Sequence, residues 1–146
     1  MMLARRDSGN RITKSRALAS RRLSQRLPYY LTPDEAHALI DATRTERDRL
    51  LLRLLWEAGV RISEAITLRL EDVGREGIRV LGKGAIERVV FVQDGQVSSI
   101  LFYAQERHMD RGDYLFPSRK GGHITEQRAD QIIKKAVKSV RLRRNV

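Results

Sequence analysis

Cysteine is absent from this sequence of 146 residues, which excludes disulfide bonds, thiolate zinc sites and a cysteine nucleophile. Aromatic residues make up only 5% of the chain, which argues against an RNA-binding domain that stacks bases on aromatic rings. The longest apolar run, 50–56, is interrupted by Arg53 and is far shorter than the ~20 residues of a membrane span. We therefore expect no membrane segment, and a cytoplasmic location is compatible with the lack of cysteine.

Leader and metal-binding patterns are missing as well. The basic N-terminal stretch is not followed by an apolar segment, so a signal peptide is not expected. His37 and His123 have no companion carboxylates or histidines at ligand spacing. We therefore predict no metal site.

Positive charge is abundant and clustered. The chain has 29 Lys and Arg against 18 Asp and Glu, a net charge of +11. Residues 1–28 contain eight basic residues and one acid, and residues 124–146 contain seven basic residues and two acids. This clustering favours a polyanionic partner, because Lys and Arg bind phosphates and release counterions. The alternative is that the charge serves solubility alone.

The composition divides the chain near residue 28. Residues 1–27 are basic, Ser-rich and free of aromatics, which predicts a tail or linker. Residues 28–146 form the folded part, where Thr32, Pro33 and Glu35 predict a capping box at the start of a helix that ends near Thr43.

The apolar periodicity after this point predicts an α+β domain that is mostly helical. A second helix begins near Glu46 and ends before Gly59, and a short third helix follows it. Apolar and polar residues alternate in two β-branched runs, Ile78–Leu81 and Ile86–Val92. The residues between the runs, 82–85 (Gly-Lys-Gly-Ala), are typical of the turn of a β-hairpin. A fourth helix, a short extended piece at 114–117 and a last helix capped by Thr125 complete the order.

Two features of this pattern offer phosphate-binding groups. Arg61 follows a helix C-terminus and opens the next helix, where backbone N–H groups favour an anion, and Glu64 lies three residues later. The alternative is that Arg61 and Glu64 form an ordinary surface ion pair. Lys83 lies between two glycines at the hairpin tip, where a turn lysine is usually just solvated.

Taken together, these motifs resemble the opening of tyrosine recombinase (phage integrase) catalytic domains. The resemblance rests on the run from Tyr30 to Glu35, the segment from Gly59 to Glu64, Gly82-Lys83-Gly84 with Arg88, and the segment from Leu115 to Thr125. It covers about residues 28–140 and implies a truncated integrase-like catalytic fold with a small antiparallel hairpin.

The resemblance implies a role for three residues in DNA strand breakage and rejoining. Arg61 would clamp the scissile phosphate, Lys83 would protonate the leaving 5′ oxygen, and Glu64 would support the arginine. The family forms a 3′-phosphotyrosyl intermediate and requires no cofactor or metal. Pre-placed cations stabilise the charge that develops on the phosphate during attack.

The chain departs from the family pattern after residue 125. The family's His-x-x-Arg box and late tyrosine have no convincing counterpart, since His108-Met109-Asp110-Arg111 comes too early and resembles an exposed helix end. Tyr29, Tyr30, Tyr103 and Tyr114 are better explained by packing, as is Trp56 in its leucine-rich helix.

These observations lead to two hypotheses. The first is the DNA-binding part of a site-specific tyrosine recombinase, inactive on its own, and the second is a non-catalytic DNA-binding or regulatory protein on the same scaffold. In both, the partner is double-stranded DNA. We expect self-association through an exposed apolar stripe on the last helix. The residues predicted to contact DNA are Arg61, Lys83, Arg21, Arg22, Arg88, Lys134 and Lys135.

Overall fold

The computed structural model describes residues 31–140, except for the side chain of Asp94. The predicted basic tail (1–27), its arginines Arg21 and Arg22, and the tyrosines Tyr29 and Tyr30 lie outside the described residues. The predicted α+β class is confirmed: the described elements are helices and a two-stranded antiparallel sheet.

Helix α1, Pro33–Asp41, begins with the predicted capping box. The Thr32 hydroxyl accepts a hydrogen bond from the Glu35 N–H at 3.2 Å, and the Glu35 carboxylate accepts one from the Thr32 N–H at 2.9 Å. The helix ends at Asp41, two residues before Thr43, whose hydroxyl donates to the Ile40 carbonyl at 2.6 Å. This side-chain bond competes with continued helix.

Helix α2, Glu46–Glu57, forms the centre of the domain. Thr45 caps it by accepting from the Asp48 N–H at 3.2 Å, and Leu51 and Leu54 are fully buried. Gly59 has φ +62°, the left-handed conformation expected just beyond a helix C-terminus. Trp56, predicted to be in the core, is 39% exposed; that prediction was wrong, because Trp56 is on a different face of α2 from Leu51 and Leu54.

The short helix α3, Ile62–Ile66, is followed by a 3-10 turn, Leu70–Asp72, and then by the hairpin. Strand β1, Ile78–Leu81, pairs antiparallel with β2, Glu87–Val90. The second strand is shorter than the predicted 86–92 at both ends. The Gly82 N–H donates to the Ile86 carbonyl at 2.8 Å and closes the turn there, and the next helix starts at residue 94.

Helices α4, Asp94–Glu106, and α5, Glu126–Val140, complete the described chain. The predicted extended piece between them is confirmed by isolated β-bridges from Tyr114 to Arg69 and from Pro117 to His123. Its residues Leu115 and Phe116 are fully buried. The predicted cap of α5 is also present, since the Thr125 hydroxyl accepts from the Arg128 N–H at 3.1 Å.

The apolar stripe of α5 is covered rather than exposed. Ala129, Ile132 and Ala136 are buried, and Ile133, Val137 and Val140 are partly buried against Leu39 and Ile40 of α1 and Leu52 of α2. The prediction of an exposed stripe was wrong, because two helices distant in sequence supply its apolar partners. Self-association of the chain stays a prediction.

Within residues 31–140, no helix is both long and apolar enough to cross a membrane.

The packing of α5 can be tested with Ile132→Ala. Ile132 is 5% exposed and belongs to the main core, so its truncation should lower the free energy of unfolding by about 2–5 kcal/mol. Urea denaturation measures the change. Lys134→Ala on the solvent side, where Lys134 only pairs with Asp130, should stay within about 0.5 kcal/mol of the parent. Equal losses in the two variants would contradict this placement of α5.

Candidate functional site

Arg61 lies where the chain turns from α2 into α3. Gly59 makes the turn, and Arg61 is the residue directly before the first residue of α3, with an extended backbone. Its side chain is exposed, and no acceptor within residues 31–140 takes a hydrogen bond from its guanidinium. The guanidinium is therefore available to an anion.

Glu64 is bound to the backbone of Arg61. Its Oε2 accepts a hydrogen bond from the Arg61 N–H at 2.8 Å, and the residue is only 5% exposed. The alternative of an ordinary surface ion pair is therefore wrong. The carboxylate is buried and leaves the Arg61 side chain free.

The same carboxylate oxygen binds the hairpin. Arg88 of β2 donates from Nη2 to Glu64 Oε2 at 2.9 Å. A Cβ placed on Gly82 would lie 3.6 Å from Glu64 Oε1, so the residue before Lys83 lies close to the carboxylate. Glu64 thus joins α3, β2 and the hairpin turn.

The environment of Glu64 stabilises its charged form. The hydrogen bond from the Arg61 N–H is the largest influence that lowers the pKa of Glu64, whereas burial acts in the opposite direction. The hydrogen bond and charge of Arg88, and then the charge of Arg61, lower the pKa further. The net result is a pKa below the ordinary value of a glutamate, as expected for a carboxylate held by N–H donors.

Lys83 begins a tight turn at the hairpin tip. Gly84 and Ala85 have φ +77° and +59°, and Lys83 is exposed. The backbone of Arg61 and the residue before Lys83 thus both lie beside one carboxylate. The structure therefore places the backbone at Arg61 and the turn that carries Lys83, the two residues predicted to bind phosphate, next to each other.

The other predicted DNA contacts are placed differently. Lys134 pairs with Asp130 at 2.7 Å on the solvent side of α5, and Lys135 lines a cavity with Arg44 and Asp48. Neither lysine has a hydrogen bond or ion pair with Glu64 or Arg88 among the described contacts. Both lysines are on α5.

The described tyrosines are engaged in packing. The buried Tyr103 hydroxyl donates to the Leu115 carbonyl at 3.1 Å, and the Tyr114 ring lies 4.3 Å from the Arg69 guanidinium. The Tyr114 hydroxyl also accepts from Arg69 Nη2 at 2.8 Å. The packing prediction is confirmed for these two residues.

The histidines take no part in a site within residues 31–140. His108 is exposed just beyond the end of α4, with φ +51°, which confirms the prediction of an exposed helix end. His37 is exposed, and His123 Nδ1 lies 2.7 Å from the Ile124 carbonyl oxygen. No group of three or more His, Asp or Glu side chains in this range could hold a metal ion.

Sequence reasoning missed the link between Arg88 and Glu64, although the strand pattern contains a signal for it. Arg88 is two residues before the buried Val90, so the alternation of a strand places both on the same face. A cation on the face of a strand that turns toward the core favours an anion close by. Glu64 is that anion.

The fold is that of part of a tyrosine recombinase catalytic domain. Residues 29–145 match the phage integrase family. The chain belongs to this family.

Individual proteins support the assignment. The chain is 35% identical over 130 residues to the tyrosine recombinase XerC of Xanthomonas axonopodis pv. citri. The aligned region covers 84% of this chain and 42% of that protein. It is 34% identical over 125 residues to the tyrosine recombinase XerD of Vibrio vulnificus, covering 77% of this chain and 41% of that protein. The chain spans less than half the length of these relatives.

Solved structures show the same fold. The XerA recombinase superimposes with a TM-score of 0.71 at 26% identity, covering 85% of this chain and 47% of that one. The XerH site-specific recombinase, solved as a pre-cleavage complex bound to its difH substrate, gives a TM-score of 0.68 at 24% identity. The superposition covers 83% of this chain and 39% of that one.

The buried carboxylate predicts a pH dependence of stability. Because the pKa of Glu64 is lower in the folded chain, its stabilising contribution is complete above the ordinary glutamate pKa of about 4.3. It is lost as the pH falls through the lower pKa of the folded state. Glu64→Gln should therefore show a shallower loss of unfolding free energy at acid pH than the parent, measured by urea denaturation at a series of pH values. Parallel curves would contradict the prediction.

Proposed function

We propose that this chain provides part of the catalytic domain of a site-specific tyrosine recombinase and binds double-stranded DNA through the site around Glu64. The observation that carries the proposal is that the Arg61 backbone and the hairpin turn of Lys83 meet at one buried carboxylate. Family membership and the DNA-bound relative support it. No metal or nucleotide cofactor enters the proposed reaction.

In this proposal Arg61 and Lys83 act on the same phosphodiester. The Arg61 guanidinium presents a planar set of donors that can engage two phosphate oxygens. As a tyrosine oxygen attacks phosphorus and the bond to the 5′ oxygen breaks, charge grows on the non-bridging oxygens and Arg61 stabilises it. The Lys83 ammonium gives its proton to the departing 5′ oxygen, while the proton of the attacking tyrosine hydroxyl passes to solvent, from which Lys83 is protonated again. The product is a 3′-phosphotyrosyl link and a free 5′ hydroxyl.

Glu64 acts indirectly as a positioning residue, because its oxygen is occupied by the Arg61 N–H and by Arg88. Lys134 and Lys135, together with Arg21 and Arg22 of the proposed 1–27 tail, add charge for the DNA backbone. We place the protein in the cytoplasm, where it would meet DNA.

The nucleophile is proposed to come from a segment other than residues 31–140. Tyr103 and Tyr114 both use their hydroxyls within the fold, and neither contacts Glu64 or Arg88 in the described network. This observation also favours the second candidate function, a DNA-binding or regulatory protein that does no chemistry.

Arg61→Ala tests the phosphate contact. The variant should bind duplex DNA more weakly, and the slope of log K against log salt should fall by about one unit. Fluorescence anisotropy over a range of salt concentrations measures both quantities.

Arg107→Ala is the matched control. Arg107 pairs with Glu46 at the first residue of the 12-residue helix α2, about 18 Å along the helix from the end that leads to Arg61. We expect the parental salt slope for this variant. Equal slopes for the Arg61 variant and the parent would contradict the phosphate contact.

A suicide DNA substrate tests the origin of the nucleophile. The 146-residue chain should bind the substrate without forming a covalent adduct, because Tyr103 and Tyr114 are engaged within the fold and we expect Tyr29 and Tyr30, which precede the first helix, to serve in packing as well. Denaturing gel electrophoresis detects an adduct by its slower migration. An adduct would contradict this part of the proposal, and its loss in one of four single variants, at Tyr29, Tyr30, Tyr103 or Tyr114, each changed to Phe, would identify the nucleophile.

A complementary polypeptide separates the two candidate functions. If the chain belongs to a recombinase, a supplied C-terminal segment of a relative should restore cleavage to the parent but not to Arg61→Ala. If binding is the whole function, neither mixture should cleave DNA.

A further inference from the structure

We propose that Arg88 is a positioning residue whose ion pair with Glu64 holds the Lys83 turn beside Arg61. This inference rests on the proposed function of Lys83 and Arg61. It assigns the Arg88 guanidinium to the Glu64 carboxylate rather than to a DNA phosphate, which was the expectation from sequence.

The register of the hairpin places Arg88 on its inner face. Ile78 pairs with Val90 and Val80 pairs with Arg88. Side chains of directly paired residues lie on the same face of an antiparallel sheet, and Ile78, Val80 and Val90 are 0%, 1% and 9% exposed. Arg88 therefore occupies a position where the neighbouring inner residues are buried and apolar.

The buried apolar residues on the inner face end at the cross-strand pair of Val80 and Arg88, before the hairpin tip. Ile86, two residues from Arg88 toward the turn, is 69% exposed. An isolated two-stranded hairpin is marginally stable in water, so its tip needs a contact with the rest of the domain. Among the described side-chain contacts, the Arg88–Glu64 pair is the ion pair nearest to the turn.

The geometry of this pair connects the tip to Arg61. One oxygen of Glu64 accepts from both the Arg61 N–H at 2.8 Å and Arg88 Nη2 at 2.9 Å. Glu64 is buried, whereas the Arg88 side chain is 47% exposed. A charge-assisted hydrogen bond to a buried carboxylate is stronger and more directional than a solvated surface pair.

Removing Arg88 would leave the buried carboxylate with a single described hydrogen-bond donor. An uncompensated buried charge is costly, so Glu64 would have to recruit water, bind a proton or move. In each case the hairpin has lost its ion pair with α3, so the hairpin tip is free to move away from α3. Lys83 would then sample positions farther from Arg61 without any change to either side chain.

Nitroxide labelling tests this inference. Because the chain has no cysteine, a variant that combines Ser63→Cys on α3 with Lys83→Cys at the turn carries nitroxide labels at these two positions and nowhere else. Electron paramagnetic resonance gives the distribution of distances between the two labels. The parent pair should show a single narrow distance. Arg88→Met should lose it and give a broad distribution, whereas Arg88→Lys, which retains a cation, should restore much of the narrow component.

Arg79→Met is the matched control on the same hairpin. Arg79 is on the outer face and pairs with Asp72 at 3.2 Å, so its loss should leave the distance narrow. An unchanged distribution in Arg88→Met, or equal broadening in Arg79→Met, would overturn the proposal.

Glu64→Gln provides a second route should Arg88→Met fail to fold. Its amide oxygen can still accept from the Arg61 N–H, but the ion pair is lost without leaving a buried charge. This variant should also broaden the distribution, and a narrow distance in it would overturn the proposal.

The failure of this inference differs from the failure of the proposed function. If Arg61→Ala weakens DNA binding while Arg88→Met leaves the distance narrow, only the role of Arg88 is wrong. If Arg88→Met broadens the distance but DNA binding does not depend on Arg61, the positioning contact stands and the proposed phosphate contact is wrong.

Discussion

The buried carboxylate of Glu64 is the interaction on which the site depends. It satisfies the backbone N–H of Arg61, binds the guanidinium of Arg88 and lies close to Gly82 at the start of the Lys83 turn. A buried carboxylate is costly unless donors surround it, and here the donors come from two different elements. Its need for partners therefore fixes how α3 and the hairpin meet.

The rest of the fold supplies the fixed framework for this contact. Leu51 and Leu54 of α2 and Ile78 of β1 are fully buried in one core, so the end of α2 and the base of the hairpin are held by close packing. Helix α5 closes a smaller apolar cluster against α1 and α2. The exposed groups, Arg61 and Lys83, extend from this framework toward solvent, where a DNA phosphate can approach.

Local signals in the sequence were sufficient for most elements. The Thr32 capping box, Gly59 beyond α2 and the glycines around Lys83 each depend on neighbours within a few residues, and each is present in the structure. Contacts between distant residues were not predictable in this way. The cover over α5 comes from Leu39 and Leu52, and Arg88 meets Glu64 across 24 positions. A periodic pattern shows which face is apolar, but it does not show what covers that face.

In the proposed function, Arg61 and Lys83 bind one common phosphate. A double-mutant cycle in duplex DNA binding tests it most directly, because contacts to one group are coupled and contacts to separate groups are additive. We predict that Lys83→Ala weakens binding clearly in the parent and much less in the Arg61→Ala background. Additive losses in binding free energy would contradict the claim.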